Sequence, residues 1–396
     1  MKKTITLLSI ALLFTAGRSQ NSNTGSNGGF RVSKYLMEIP PGMVVVEGGI
    51  YTLPDEKNEL RPDTISPFCI SMYEETNFQY GQYLRFLKRF TTLDENMNAL
   101  YEQALPDTEL WFKEGLNEEL ATYLSKNYLW NPLFKNYPVL GLTTEQISRY
   151  ALWKSDRINE LILIREGILD YDTMPGDTAA VFSTRGYLNG TWLGMEKRRI
   201  ADANAPNGER KVRIEDGIFL PNYRLPSVEE WKLAALDMGD EKYTYPTHKK
   251  EKAPRRWNNS WFGFLFVQEE KMGDDTIVPE LSKLGLKPVN DESSNEKERN
   301  PSNYGMYKLE SNASEFILSS TGALYTGTSW GNPVKTLHST YFKDEKKWGY
   351  TLPGDPEFHN EEKGFRSMHV GFRLAMDYIL YPKDQKLPFP RKKGKG

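Results

Sequence analysis

The 396-residue chain carries 51 Lys and Arg against 53 Asp and Glu, a net charge of −2. Such a balance gives no global field to gather nucleic acid or anionic lipid, so basic character can act only locally. With 38% hydrophobic and 13% aromatic residues the chain can bury a full core, and 31 Gly, 23 Pro and 22 Tyr point to a loop-rich fold held by aromatic packing.

Residues 1–19 read as a secretory signal, with Lys2 and Lys3 as the charged start and Ile5 to Phe14 as an apolar run too short to span a bilayer. The expectation is an exported, periplasmic chain. Thr15-Ala16-Gly17-Arg18-Ser19 has the form of a lipobox in which Arg18 holds the essential cysteine position. Without a thiol no diacylglyceryl group attaches there, and cleavage near Gly17 or Ser19 leaves an unanchored protein. Residues 20–39 begin Asn/Ser/Gly-rich and read as a flexible linker. No later run approaches the ~20 apolar residues of a transmembrane helix.

A folded domain is expected over 40–380. Met43 to Tyr51 reads as a buried strand, a glycine turn and the start of the strand's partner, and Phe68 to Tyr73 as a second strand. Asn77 is placed to cap a helix whose Tyr80, Tyr83, Leu84 and Leu87 share one face. Residues 91–136 look like a helical insertion. Tyr137 to Leu142 reads as a strand, followed by a capping box of Thr143 and Gln146 and a helix with Ile147, Ala151, Ile158 and Ile162 on one stripe. Residues 170–222, rich in Gly, Asp and Arg and poorly periodic, read as a surface insertion. A second capping box, Ser227 with Glu230, opens a helix lined by Val228, Trp231, Ala235 and Met238. Tyr325 to Trp330 and His369 to Met376 read as closing strands, and 381–396 as a basic tail.

Little in this pattern is catalytic. The single cysteine, Cys69, excludes a disulfide within the chain and every two-cysteine mechanism; between Phe68 and Ile70 it reads as a small core residue. The four histidines, His248, His338, His359 and His369, show no metal-binding spacing. Glu74 and Glu75 are neighbours that would face opposite ways in a strand, and no nucleophile elbow or phosphate loop occurs. Two surface features stand out. The aromatic run containing Trp261, Phe262 and Phe264, and the tail containing Arg391, Lys392 and Lys393, could each meet a partner; core packing and a solvated end are the plainer readings.

Several stretches in one order carry a resemblance. They are Met43 to Tyr51, Tyr73-Glu74-Glu75-Thr76-Asn77, Tyr137 to Arg157, Tyr223 to Ala235, Asn303 to Phe316, Thr326 to Trp330, and His369 to Ala375. They resemble the successive motifs of the formylglycine-generating-enzyme-like (FGE-sulfatase, C-type-lectin-like) family, which implies an α+β, loop-rich domain with short strands and helical insertions. The founding enzyme of that family oxidises a substrate cysteine with copper held by a cysteine pair. Leu374 stands at the cysteine of the family's G-F-R-C-A motif and no cysteine follows Cys69, so the resemblance implies that this chemistry is absent. In relatives the motif around Asn312 and Glu315 helps bind structural calcium. The same two side chains could instead hold a loop by hydrogen bonds to backbone N–H groups without an ion.

Within the family, the helical insertion and Ala104 to Trp111 look most like the gliding-motility lipoproteins of the GldJ type, with the GldK/PorK type next. The resemblance implies a non-enzymatic component of the type IX secretion and gliding machinery on the periplasmic side of the outer membrane. Its expected partners are GldK/GldN-type ring components, with peripheral outer-membrane association and no nucleic acid. The alternative is a periplasmic carbohydrate- or peptide-binding lectin-like protein.

Overall fold

Phe68, Cys69, Ile70 and Ser71 are all buried because the strand they form, β4 (Phe68–Ser71), lies between two others. The computed structural model describes residues 37, 39–54, 60–92, 94–170, 178–235, 277–289, 302, 304–309, 312–319, 322–326, 329–330 and 365–379. Antiparallel β1 (Met43–Val46) flanks β4 on one side, with Val45 opposite Cys69. The other side is held by a late strand, Ala375–Asp377. Side chains alternate across such a sheet. Cys69 therefore joins an apolar cluster with Tyr80, Tyr150, Phe372 and Leu374, while Phe68 and Ile70 join another with Trp231, Met306 and Ile317.

The strand after Gly48-Gly49 does not fold back on β1 as the sequence suggested. Instead, β2 (Gly49–Pro54) pairs with β3 (Leu60–Ile65) in a separate ladder. Gly48 is where the chain leaves one ladder for the other. A Cβ there would lie 2.5 Å from Pro67 Cδ and 2.8 Å from the Ile65 carbonyl, so only glycine allows this approach.

Side-chain caps open most of the helices. Helix α1 (Asn77–Phe90) is capped by Thr76, whose box with Gln79 satisfies both ends; Asn77, the expected cap, lies inside the first turn. Its Nδ2 donates to the carbonyls of Tyr128 at 2.9 Å and Phe134 at 3.0 Å, which ties α1 to the first insertion. The box of Thr143 and Gln146 forms as expected. Tyr137 to Leu142 is not a ladder strand; it makes one bridge, Thr76 to Pro138, and its Val139 and Gly141 N–H groups donate to the carbonyls of Glu75 and Ser367.

The first insertion is helical: α2 (Glu95–Ala104), a 3-10 helix (Thr108–Lys113) and α3 (Glu118–Asn127). Trp111, Leu124, Tyr128 and Phe134 pack there against Trp330 and Met368. Next, α4 (Thr144–Arg165) uses both its faces. Ile147, Ala151, Ile158 and Ile162 enter the main core.

The helix's polar side chains clamp the second insertion. Asn159 exchanges bonds with the Leu220 backbone at 2.8 and 3.1 Å, Ser155 Oγ accepts from Tyr223 N–H at 2.8 Å, and Asp156 accepts from Thr184 N–H at 2.7 Å. That insertion includes α5 (Thr184–Asn189) and the short pair β5 (Ile200–Ala201) and β6 (Glu209–Arg210). It is more than a surface loop: Phe182, Tyr187, Val212 and Phe219 form an apolar centre of their own, spaced too irregularly to show as periodicity.

The chain then forms α6 (Val228–Ala235), opened by Ser227 and Glu230, and α7 (Val278–Leu284). A second three-stranded sheet has β7 (Ser314–Ser319) at its centre, antiparallel to β8 (Gly322–Thr326) and parallel to β9 (Val370–Gly371). The last strand, β10 (Ala375–Asp377), is the partner of β4 already met. The closing run expected at His369 to Met376 is thus two strands in two sheets, joined by Phe372, Arg373 and Leu374. The fold is α+β, with short strands and long connections. The signal, the linker, the aromatic run at Trp261, Phe262 and Phe264, and the tail with Arg391, Lys392 and Lys393 lie outside the described residues.

Phe372 is fully buried with its ring 5.8 Å from that of Tyr150. In urea denaturation, Phe372→Ala is expected to lose about 3–5 kcal/mol. Thr143→Ala, which removes a cap and little else, is expected to lose about 1 kcal/mol.

Candidate functional site

The polar knot of the sequence, Asn312 to Glu315, closes around a buried guanidinium. Arg373, on the link between β9 and β10, is 0% exposed. Its Nε donates to Glu315 Oε2 at 2.6 Å and its Nη2 to Glu315 Oε1. The remaining N–H groups go to the carbonyls of Ser71 at 2.9 Å, Met72 at 3.0 Å and Tyr307 at 3.0 Å. All five donors of the fork are thereby used, which is what lets a permanently charged group sit out of water. Glu315 also accepts from Trp231 Nε1 at 2.7 Å.

A second carboxylate completes the cluster. Glu74, 1% exposed, accepts from Asn312 Nδ2 at 2.6 Å and from the Ala313 N–H at 3.0 Å. Asn312 adopts φ +77°, a left-handed conformation that Asn tolerates better than most residues. Its Oδ1 accepts from Lys287 N–H at 2.9 Å and its carbonyl from Trp330 N–H at 2.7 Å. Burial pushes the Glu74 carboxyl up to about 8, and the nearby Glu315 charge adds to the rise. The Arg373 charge and the two hydrogen bonds oppose it without overcoming it.

Asn312 and Glu315, as arranged, do not fit a calcium ion. Both Glu315 oxygens face the guanidinium or the indole, and the Asn312 oxygen is held by a backbone N–H. A hard cation would have to displace these donors and lie beside the positive charge of Arg373. The ion-free clasp is the arrangement these side chains fit. Asn312 and Glu315, singled out from sequence as possible calcium ligands, lie in one cluster but bond different groups, Glu74 for Asn312 and Arg373 and Trp231 for Glu315; sequence reading missed Glu74, Trp231 and Arg373. The signal for the last was present in Gly371-Phe372-Arg373, whose arginine sits between strand-like apolar residues.

Glu74 and Glu75 diverge as expected. Glu75 turns to Tyr150 Oη and Lys154 Nζ, each 2.6 Å away, and Lys154 lies 5.0 Å above the Tyr223 ring. His369 has more contacts than its sequence setting suggested. Its ring stacks on Trp330 with centroids 4.7 Å apart, Nε2 meets the Glu114 carboxylate, and Nδ1 lies 3.4 Å from Ser329 Oγ. Glu114 belongs to the first insertion, so this contact fastens that insertion beside β9. Among the described residues, no group of three or more His, Cys, Asp or Glu converges as metal ligands would.

The positions relevant to thiol chemistry are both core. Leu374 is 0% exposed, and Cys69, also 0% exposed, has its thiol pushed up to about 12 by burial.

Because Arg373 compensates the buried Glu315 carboxylate, Arg373→Met is expected to lose about 3–5 kcal/mol in denaturant unfolding. Glu74 supplies a separate test. Its raised value means that the folded chain holds a proton which the unfolded chain releases from about 4.5 upward. Stability referable to Glu74 is therefore full below about 4.5 and falls as pH rises toward about 8. Urea midpoints across this window should decline more steeply for the wild type than for Glu74→Gln; parallel slopes would overturn the assignment.

The family described as "Sulfatase-modifying factor enzyme 1-like domain" (FGE-sulfatase) matches residues 30–378. Among solved structures, "Crystal Structure of CarF" is 15% identical with a TM-score of 0.31, covering 85% of this chain and 98% of that one. Treponema denticola variable protein 1 is 15% identical with a TM-score of 0.35, covering 85% of this chain and 94% of that one. No curated protein matches. The match spans most of the chain, and this protein belongs to the sulfatase-modifying factor enzyme 1-like, or FGE-sulfatase, family.

Proposed function

We propose that this chain is a non-catalytic structural component of the type IX secretion and gliding machinery, working at the periplasmic side of the outer membrane. The observation that carries the non-catalytic part is the burial of Leu374 at the position of the family enzyme's cysteine, with the lone thiol Cys69 sealed in β4. A copper-thiolate centre needs two accessible thiolates, and this chain has one thiol, held protonated. The placement in the machinery is supported by the motif resemblance and by the helical insertion built around Trp111. Export fits the apolar leader of the sequence. Among the described residues no helix is long and apolar enough to cross a membrane.

The lectin-like alternative has less support. Trp330, an aromatic side chain that such binding could use, is only 5% exposed and packs against Trp111 and His369.

Cross-linking of envelope fractions followed by co-purification is expected to recover GldK/GldN-type ring components with this chain. A solitary protein would overturn the proposal. Iodoacetamide is expected to leave the native chain unlabelled and to modify Cys69 only after unfolding. Labelling of the folded chain, or stoichiometric copper by elemental analysis, would reopen an oxidase reading.

A further inference from the structure

Outside the Arg373 cluster, three side chains from distant parts of the chain meet in the order that an activated serine needs. Ser329 directly precedes Trp330, His369 leads into β9, and Glu114 is the C-terminal cap of the 3-10 helix Thr108–Lys113. Ser329 Oγ lies 3.4 Å from His369 Nδ1, and the other ring nitrogen, Nε2, meets the Glu114 carboxylate. A carboxylate can only accept, so Nε2 carries the proton that faces it and Nδ1 is left to accept from the hydroxyl. The roles are set by geometry and not by chain order, which here runs Glu, Ser, His.

The imidazole is clamped in this orientation. The His369 N–H donates to Ser367 Oγ at 3.0 Å, and its carbonyl accepts from the Ser314 N–H at 2.9 Å. Its ring stacks on Trp330, which is itself fixed by donating its backbone N–H to the Asn312 carbonyl and its indole N–H to the Met368 carbonyl, each at 2.7 Å. A base oriented by a third group and held by packing is what separates nucleophile activation from a chance contact between a hydroxyl and an imidazole. The 3.4 Å approach falls in the looser range that such pairs show before a substrate tightens them. Unlike Arg373 and Glu315, these groups are not sealed: the His369 and Glu114 side chains are 19% and 11% exposed, and Ser329 is half-buried.

We infer that Ser329 is an activated hydroxyl that accepts an acyl group from carboxylic esters. Oγ bonds to the ester carbonyl carbon as its proton passes to His369 Nδ1; the bond from that carbon to the leaving oxygen breaks, and the leaving alcohol takes the proton. Glu114 is a positioning residue that holds the imidazole and offsets its transient positive charge. The product is one acylated serine, a modification and not a turnover reaction, so the site goes beyond the scaffold role and involves neither a thiol nor a partner protein. A biotinylated fluorophosphonate offers the same hydroxyl a phosphorus electrophile with fluoride as leaving group. With the full chain it is expected to label a single residue, mapped to Ser329 by mass spectrometry of the digested protein, and Ser329→Ala should lose the label. His369→Ala should slow labelling about a hundredfold, and added imidazole should restore part of the rate, which a merely misfolded chain would not allow. Glu114→Gln should also slow labelling, with Glu114→Asp recovering part of the loss. No label on Ser329, label spread over other hydroxyls, a His369→Ala rate equal to the wild type, or a slow His369→Ala rate that imidazole leaves unchanged overturns the inference.

Discussion

A guanidinium that cannot give up its proton sits at the centre of this molecule with no access to water, and the rest of the structure is arranged to make that tolerable. Arg373 needs five acceptors, and the chain brings them from three places: the end of β4, the segment at Tyr307, and β7. An apolar residue of similar volume could fill the same space as stably. It could not specify which carbonyls must meet. Since Arg373 lies between β9 in one sheet and β10 in the other, satisfying it fixes the two sheets relative to each other. Glu74 then fixes Asn312, and through it Lys287 and Trp330.

This arrangement holds the fold together without drawing on a thiol. Leu374, next to Arg373, is one more apolar side chain of the main core. Cys69 occupies the same cluster from β4, where its size and polarity suit a strand buried on both faces. The parts that distinguish this chain lie outside that centre, in two insertions that each attach through specific polar side chains. Asn77 and Glu114 serve the first, while Ser155, Asp156 and Asn159 serve the second.

Features governed by neighbours in sequence were legible. The capping boxes at Thr143 and Ser227 and the apolar stripe of α4 follow from spacing alone. The Thr76 box was misassigned by one residue because Asn77 is an equally good cap by type, and only its duty to Tyr128 and Phe134 places it inside the helix. Pairing between distant strands was not legible. Nothing in Met43 to Tyr51 tells that Gly48 abuts Pro67 and diverts the chain to a second ladder. The candidate site divided the same way: Asn312 and Glu315 lie within one short motif, whereas Glu74 reaches them across 238 and Arg373 across 58 positions of sequence, distances at which local pattern carries no information.

The second insertion has an apolar centre around Tyr187 that Leu163 of α4 joins, and polar side chains of α4 bond its backbone at Thr184, Leu220 and Tyr223. A unit with a centre of its own can open as a block while the sheets locked by Arg373 stay closed. Such a hierarchy separates two evolutionary tasks. Substitutions that retune the outer lobe are buffered from the central fold, which leaves the lobe free to drift toward new contacts while the scaffold beneath it stays constant.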